Sequence, residues 1–491
     1  MSERQEESLQ MPPGHHPMDP GSVGTFSRLP WVGLVIGLLL RFGLAPYTAE
    51  SNDVSVWAHA SLSGFYGLHL YDRAGFSYPP VWGYCLQIIG WIVRFAGNGP
   101  SFFATDNPDL GSASQITADF STLVTSPMYN VAFKAILFGC DLASALVIYR
   151  VVAWLTRDQR RARMAFAMWF LNPFVIYESA VDGAADTLVG FTVIATIALV
   201  LFGRPASAGV AWALGIMTKV SPVALAIQLV VMIGMFPREL RWSVGARVRP
   251  ILLFGMATLI TTALLVAPQI LAGSTQVMVH STFARAQGTF DIGGLSFFGI
   301  RHLKPWAWLL QWAANNAAVV VRLSTLAQAV SALGWAAWTL IIARRSPAFA
   351  FLTGTIGTLA SAMLLSPIAN PQYVLWWLPV LITLIAASGR GYWQYGVLTV
   401  APLVFAIAVL GPVAFLAPLA TYTHVIPTNA VADRVIQWYV APGKLWGMYW
   451  TDDFFAPAAL ATIAALISLF ATWWKLGLSH QEPRFMTSPL P

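Results

Sequence analysis

Ser51-Asn52-Asp53-Val54-Ser55-Val56-Trp57-Ala58-His59 opens the stretch on which the fold turns, and Leu70-Tyr71-Asp72-Arg73-Ala74-Gly75-Phe76-Ser77-Tyr78-Pro79-Pro80 closes it. It directly follows the first long apolar run, Trp31 to Tyr47, so Asp53 stands where a helix leaves the bilayer. Trp57, Tyr71, Tyr78 and Trp82 flank the acid, and aromatic rings of this kind favour the lipid–water boundary. A carboxylate at that depth meets both a substrate with a lipid tail and one dissolved in water. The plainer role for Asp53 is to cap a helix opening at Val54, since Asp is a preferred N-cap residue. Position alone does not separate the two roles.

The surrounding composition fixes the class. Of 491 residues, 57% are hydrophobic and 10% charged, with a mean hydropathy of +0.64. Soluble domains carry about 25% charged residues, so the expected fold is an all-α polytopic membrane protein. The formal charge of +7 comes from short Lys/Arg clusters between apolar runs. That is the pattern of topology signals, so membrane lipids are the expected partner and nucleic acid is not. Cys85 and Cys140 lie in apolar surroundings and suit small buried hydrophobes. Zinc-ligand spacings, P-loops and hydrolase motifs are absent from the sequence.

Arginine positions give the expected topology. Residues 1–30 are polar and proline-containing and read as a disordered cytoplasmic tail, with a second tail at 477–491. The clusters Arg157–Arg163, Arg238–Arg249 and Arg344–Arg345, with Arg204, Arg390 and Lys475, mark cytoplasmic ends. The segments between these cytoplasmic ends then face outward, chiefly the loops 48–126, 271–321 and 412–455. The segment 79–96 is apolar, yet the path from Asp53 outside to Arg157 inside must cross an odd number of times. At about 16 residues it falls short of the ~20 a span requires, so it is expected to lie shallow on the outer side, opening at Pro79-Pro80. About twelve transmembrane helices (11–13) result, with outward juxtamembrane helices. They divide into a module at 31–236 and a second at 237–476.

Several polar residues sit within or beside these spans. Lys134 and Asp141, seven apart on one helix, are about 10 Å apart along the axis, so each is expected to find its own partner. Intramembrane ionisable residues usually face a cavity or a partner. Asp182 and Asp186 have helical spacing around Gly183-Ala184-Ala185. They suit a metal ion or a sugar hydroxyl, or else a cap and a solvated acid. Lys219, in Thr218-Lys219-Val220-Ser221-Pro222, breaks one apolar run into two and either binds an anionic headgroup or snorkels to lipid phosphate. Arg285 falls in a basic, glycine-containing loop suited to phosphate. Ser366 to Tyr373 forms a proline-bounded polar turn carrying Gln372, followed by Trp376 and Trp377, tryptophans that suit an interfacial belt.

In that order these motifs resemble the GT-C glycosyltransferases, integral membrane enzymes that take a sugar from a polyprenyl-phosphate carrier. Asp53 falls where the family has its catalytic carboxylate, and Tyr71…Tyr78-Pro79-Pro80 looks like the start of its juxtamembrane helix. Lys134…Asp141, Leu171-Asn172-Pro173, Gly183…Asp186 and Lys219…Pro222 follow in the same sequence. The pattern is closest to the polyprenyl- or dolichyl-phosphate-mannose branch, which includes the first mannosyltransferase of glycosylphosphatidylinositol assembly and bacterial envelope α-mannosyltransferases. The resemblance covers 31–236 and the turn at 366–380. Where some members carry paired acids this chain has Asn52-Asp53, which leaves metal use open and no cofactor assigned.

The resemblance implies an inverting hexosyl transfer, with mannose the expected sugar, to a hydroxyl of a lipid, glycan or protein acceptor. The site would face the outside or periplasm of the plasma (inner) membrane. Asp53 is the expected general base. Lys134, Lys219 and Arg285 are expected at the donor phosphate. Asp182, Asp186, Tyr78, Gln372 and Tyr373 are expected around sugar or acceptor. A transporter or flippase of lipid-linked sugars is the competing class, and a non-catalytic assembly protein a third.

Overall fold

The structure, a computed structural model, describes residues 30–49, 51–71, 76–103, 125–235, 244–287, 295–297, 312, 315–343, 346–409, 414–415 and 450–478. The tails expected at 1–30 and 477–491 therefore lie almost wholly outside the described residues, as do most of the loop expected at 412–455 and parts of those at 48–126 and 271–321.

Helices account for nearly all of the described chain. In order they are α1 (Trp31–Leu44), α2 (Ser51–Tyr66), α3 (Pro80–Phe95), α4 (Pro127–Thr156), α5 (Gln159–Phe170) and α6 (Pro173–Ile176). Then come α7 (Asp186–Leu201), α8 (Pro205–Ile216), α9 (Ala226–Met235), α10 (Val244–Leu271) and α11 (Thr275–Gln287). The series ends with α12 (Ala317–Ile342), α13 (Pro347–Leu365), α14 (Leu378–Ser388), α15 (Tyr392–Val409) and α16 (Trp450–Leu478). Among the described residues, five helices are long and apolar enough to cross a bilayer. Two further helices bent 42° at a break make a sixth when taken together as one span, and six shorter apolar helices accompany them. These correspond one for one to the twelve expected spans. On α10, Leu252, Leu253, Met256, Leu259, Ile260 and Leu264 point outward, an apolar surface that only a hydrocarbon surrounding stabilises. The protein is an integral, multi-pass, all-α membrane protein.

One expected span is not straight. The segment 162–180 breaks at Asn172, whose Oδ1 accepts from the backbone N–H groups of Phe174 and Val175 at 2.9 and 3.2 Å. Its Nδ2 donates to Tyr395 and Thr399 at 2.9 and 3.0 Å. Asn172 thus serves as an N-cap, and Pro173 at the first helical position supplies the start of α6. A π-helical turn, Tyr177–Asp182, continues it.

α3 starts at Pro80 and runs 16 residues. It is not among the helices long and apolar enough to span; it lies against α2 instead. The contact is close because a side chain at Gly90 would collide with the Ser61 carbonyl, and one at Gly64 with the Gln87 backbone. The aromatic residues around Asp53 were expected at a lipid boundary, but they form an interior. Trp57, Tyr71, Tyr78 and Trp82 are buried, with the Trp57 ring edge-on to Tyr78 and Trp82 at centroid separations of 5.0 and 5.6 Å. A paired helix hairpin has rings on its inner face to bury, and burying them against each other stabilises it more than lipid contact. A second buried core draws on residues from α4 through α16, so helices of both expected modules share it.

The shallow placement of α3 has a direct test. In a Cys85→Ser/Cys140→Ser background, Asn98→Cys reacts with an impermeant thiol reagent applied outside intact cells and Arg160→Cys does not. Both positions are exposed, so labelling at residue 160 alone would overturn the layout.

Candidate active site

α4 is 30 residues long, about 45 Å, with Arg157 at one end and Lys134 two turns from the other. Asp182 lies within electrostatic reach of Lys134. Asp53 lies in the first turn of α2, which begins at Ser51. It is therefore not the cap of a helix opening at Val54, as the plainer expectation had it, because the helix starts earlier. An acid in a first turn is still favoured by the helix dipole.

Asp182 and Asp186 do not share one helix end, despite their spacing. Asp182 closes the π-helical turn and Asp186 opens α7. Between them Gly183 has φ +79°, a left-handed conformation natural to glycine that ends the first segment. Trp57 Nε1 donates to the Gly183 carbonyl at 3.2 Å, which ties this turn to α2. Glu178 lies within electrostatic reach of both Asp182 and Asp186.

Lys219 stands at the break between α8 and the 3-10 turn Ser221–Leu225. Its Nζ donates to both carboxylate oxygens of Asp186, at 2.8 and 3.1 Å. The same Asp186 accepts from Trp376 Nε1 at 2.5 Å. Lys219 also lies 4.3 Å from the Tyr373 ring centroid, 5.3 Å from that of Trp376 and 5.8 Å from that of Tyr78. Tyr373 and Trp376 stack at 4.3 Å. Asp53 is within electrostatic reach of the Lys219 charge. Lys219, Asp186, Tyr78, Tyr373 and Trp376 thus form one constellation from four separate stretches, with Asp53 near enough to feel the Lys219 charge. The Lys219 side chain is 18% exposed, and an ammonium has three donors, so one N–H stays available to a ligand.

Tyr78 is held from behind: its carbonyl accepts from Tyr71 Oη at 2.7 Å, and burial, then the nearby Tyr84, pushes the Tyr71 phenol up. Gln372 is buried in the 3-10 turn Pro371–Trp376, and its Oε1 has no hydrogen-bond partner among the described residues. Trp376 and Trp377, expected in an interfacial belt, are 5% and 0% exposed. Trp376 serves as the donor to Asp186, a role that spacing in the sequence could not show.

Lys134 and Asp141 each have their own partner, as their separation demanded. Asp141 pairs with Arg41 at 2.8 Å, both fully buried. Lys134 is ringed by protein oxygens. Arg285 falls within α11, with its side chain outside the described residues. Among the described residues no group of three or more His, Cys, Asp or Glu side chains is placed to hold a metal ion.

Comparison with known proteins adds a partial likeness. Residues 113–290 match the model of the PIG-U family, described as a GPI transamidase subunit. No curated protein matches the chain. Among solved structures it is similar to ArnT from Cupriavidus metallidurans bound to undecaprenyl phosphate, with a TM-score of 0.46 and 12% identity. That alignment covers 89% of this chain and 78% of that one.

Proposed function

We propose that this protein moves a hexose, mannose by its sequence resemblance, from a polyprenyl-phosphate-linked donor to a hydroxyl of a lipid, glycan or protein acceptor. The reading places the reaction at the outer face of the plasma membrane. The observation that carries it is the aromatic-lined Lys219–Asp186 pair, with Asp53 within electrostatic reach of Lys219. Asp53 takes the acceptor's proton as its oxygen attacks the anomeric carbon with inversion, a contribution typically of about 10²–10⁴-fold. Lys219 meets the departing phosphate, whose negative charge needs neutralisation rather than a proton. Asp186, with its oxygens committed to Lys219 and Trp376, holds that cation in place. Asp182, Gln372, Tyr78 and Tyr373 are left to orient sugar and acceptor, and the Tyr373 ring offers a face for sugar C–H groups.

Radiolabelled polyprenyl-phosphate sugars incubated with the purified protein and an extract of membrane acceptors test this reading through a labelled product. Within it, Lys219→Met raises the donor KM by about tenfold or more, the usual cost of a lost charge-assisted hydrogen bond. An unchanged donor KM and kcat in normally expressed protein would leave Lys219 a structural partner of Asp186 rather than a phosphate ligand.

The PIG-U match favours a second reading, a non-catalytic subunit of a lipid-glycan-processing assembly. In that case no product forms, and Asp53→Asn leaves assembly with the partner proteins intact. A transporter would also form no product and would change only the flux of the lipid-linked sugar.

A further inference from the structure

We propose that Lys134 is a positioning residue: its ammonium group staples the turn leading to Asp53 onto the turn carrying Asp182. It thereby sets how the two carboxylates face the substrate. The proposal deepens the transferase reading and rests on it for the kinetic arm of its test.

Lys134 is fully buried within α4. Its Nζ donates to the Thr48 carbonyl at 2.5 Å, the Ala180 carbonyl at 2.9 Å and the Val181 carbonyl at 3.2 Å. Thr48 Oγ1 lies at 3.3 Å and the Ala45 carbonyl at 3.4 Å. Three N–H groups cannot bond five oxygens at once, so the charge itself gathers the ring, as carbonyl dipoles gather around a bound cation. A lone ammonium within a membrane helix is costly unless it is so surrounded.

The oxygens come from two places in the chain. Ala45 and Thr48 lie just beyond α1, and Ala180 and Val181 lie in the π-helical turn. Further ties run the same way. Thr48 Oγ1 donates to the Ala180 carbonyl at 2.9 Å, and Trp57 donates to Gly183. Asp53 sits between Thr48 and Trp57, and Asp182 directly follows Val181. Each carboxylate is therefore bracketed by residues the staple joins. Lys134 also interacts electrostatically with Asp182. A phosphate could reach Nζ only by displacing these carbonyls, whereas Lys219 is partly open.

The test uses the purified full chain with a radiolabelled polyprenyl-phosphate mannose donor. Lys134→Met is expected to lower kcat about tenfold or more, because small misplacements of reacting groups are costly, with the donor KM within about twofold. Lys134→Arg is expected to fail similarly, since a planar guanidinium does not fit a ring built for an ammonium. A raised donor KM in Lys134→Met that Lys134→Arg restores would overturn the proposal and make Lys134 a phosphate ligand.

A second readout needs no activity. Ala45 and Ala180 pack in one small cluster, so Ala45→Cys/Ala180→Cys, with Cys85 and Cys140 changed to Ser, reports the junction by oxidative cross-linking. Replacing Lys134 by Met, or by Arg if the Met protein does not fold, is expected to slow cross-linking several-fold. Equal rates would overturn the staple. Absence of product from the wild type, with cross-linking still dependent on Lys134, would remove only the transferase reading.

Discussion

Asp53→Asn lowers glycosyl transfer by about 10²-fold or more while folding and donor binding survive. Asn keeps the size of the side chain and removes only its charge and its ability to take a proton. The position matters to this expectation. Because Asp53 lies in the first turn of α2, the lost helix-dipole interaction costs about 0.3–1 kcal/mol, too little to unfold the hairpin. Its charge is also one of those facing Lys219, so donor affinity is measured separately, by direct binding of a polyprenyl phosphate. Turnover within a few-fold of wild type at saturating donor would remove Asp53 as the base and direct attention to Asp182.

Breaking the Arg41–Asp141 pair is the second change with a large expected effect, this time on stability. The pair joins α1 to α4 with both side chains fully buried. Arg41 also donates to the Phe170 carbonyl at 2.8 Å, and its guanidinium lies 4.4 Å from the Phe170 ring centroid. Removing one partner leaves the other charge buried alone, which costs about 3–5 kcal/mol. Asp141→Leu and Arg41→Met should each therefore lower the melting temperature of the detergent-purified protein sharply, or prevent its recovery. The double variant should regain most of the loss, since two apolar side chains of similar volume replace a buried ion pair at little net cost. Single variants that melt like wild type would show that the pair carries no such stability. A double variant no better than either single one would assign the loss to packing.

The Lys219 and Lys134 variants separate two cations that look alike in the sequence. Both stand in apolar surroundings beside polar partners. One is expected to change donor KM and the other kcat, because one has a donor open to ligand and the other has none to spare.

What the sequence by itself determined is what depends on local order and composition. Twelve apolar segments, the proline start of α3 at Pro80, the shortness of that helix and the break at Lys219 follow from hydropathy and from proline's fixed backbone. So does the expectation that Lys134 and Asp141 need separate partners, since helical rise alone puts them too far apart. The identity of those partners was not legible. Arg41 is 100 residues from Asp141 and Trp376 is 190 from Asp186, and no local pattern encodes contacts across such distances. Spacing also misled at Asp182 and Asp186, where the i,i+4 interval suggested one helix until Gly183 turned the chain left-handed. The aromatic residues near Asp53 and the tryptophans after Gln372 read as a membrane belt because composition cannot tell a ring facing lipid from one facing another helix. Only the packing of α2 on α3, and of the turn at Pro371–Trp376 on α7, decided that they are interior. A buried cation must collect oxygens from whichever segments the fold brings near, so the tertiary structure alone made Lys134 a staple and left Lys219 open.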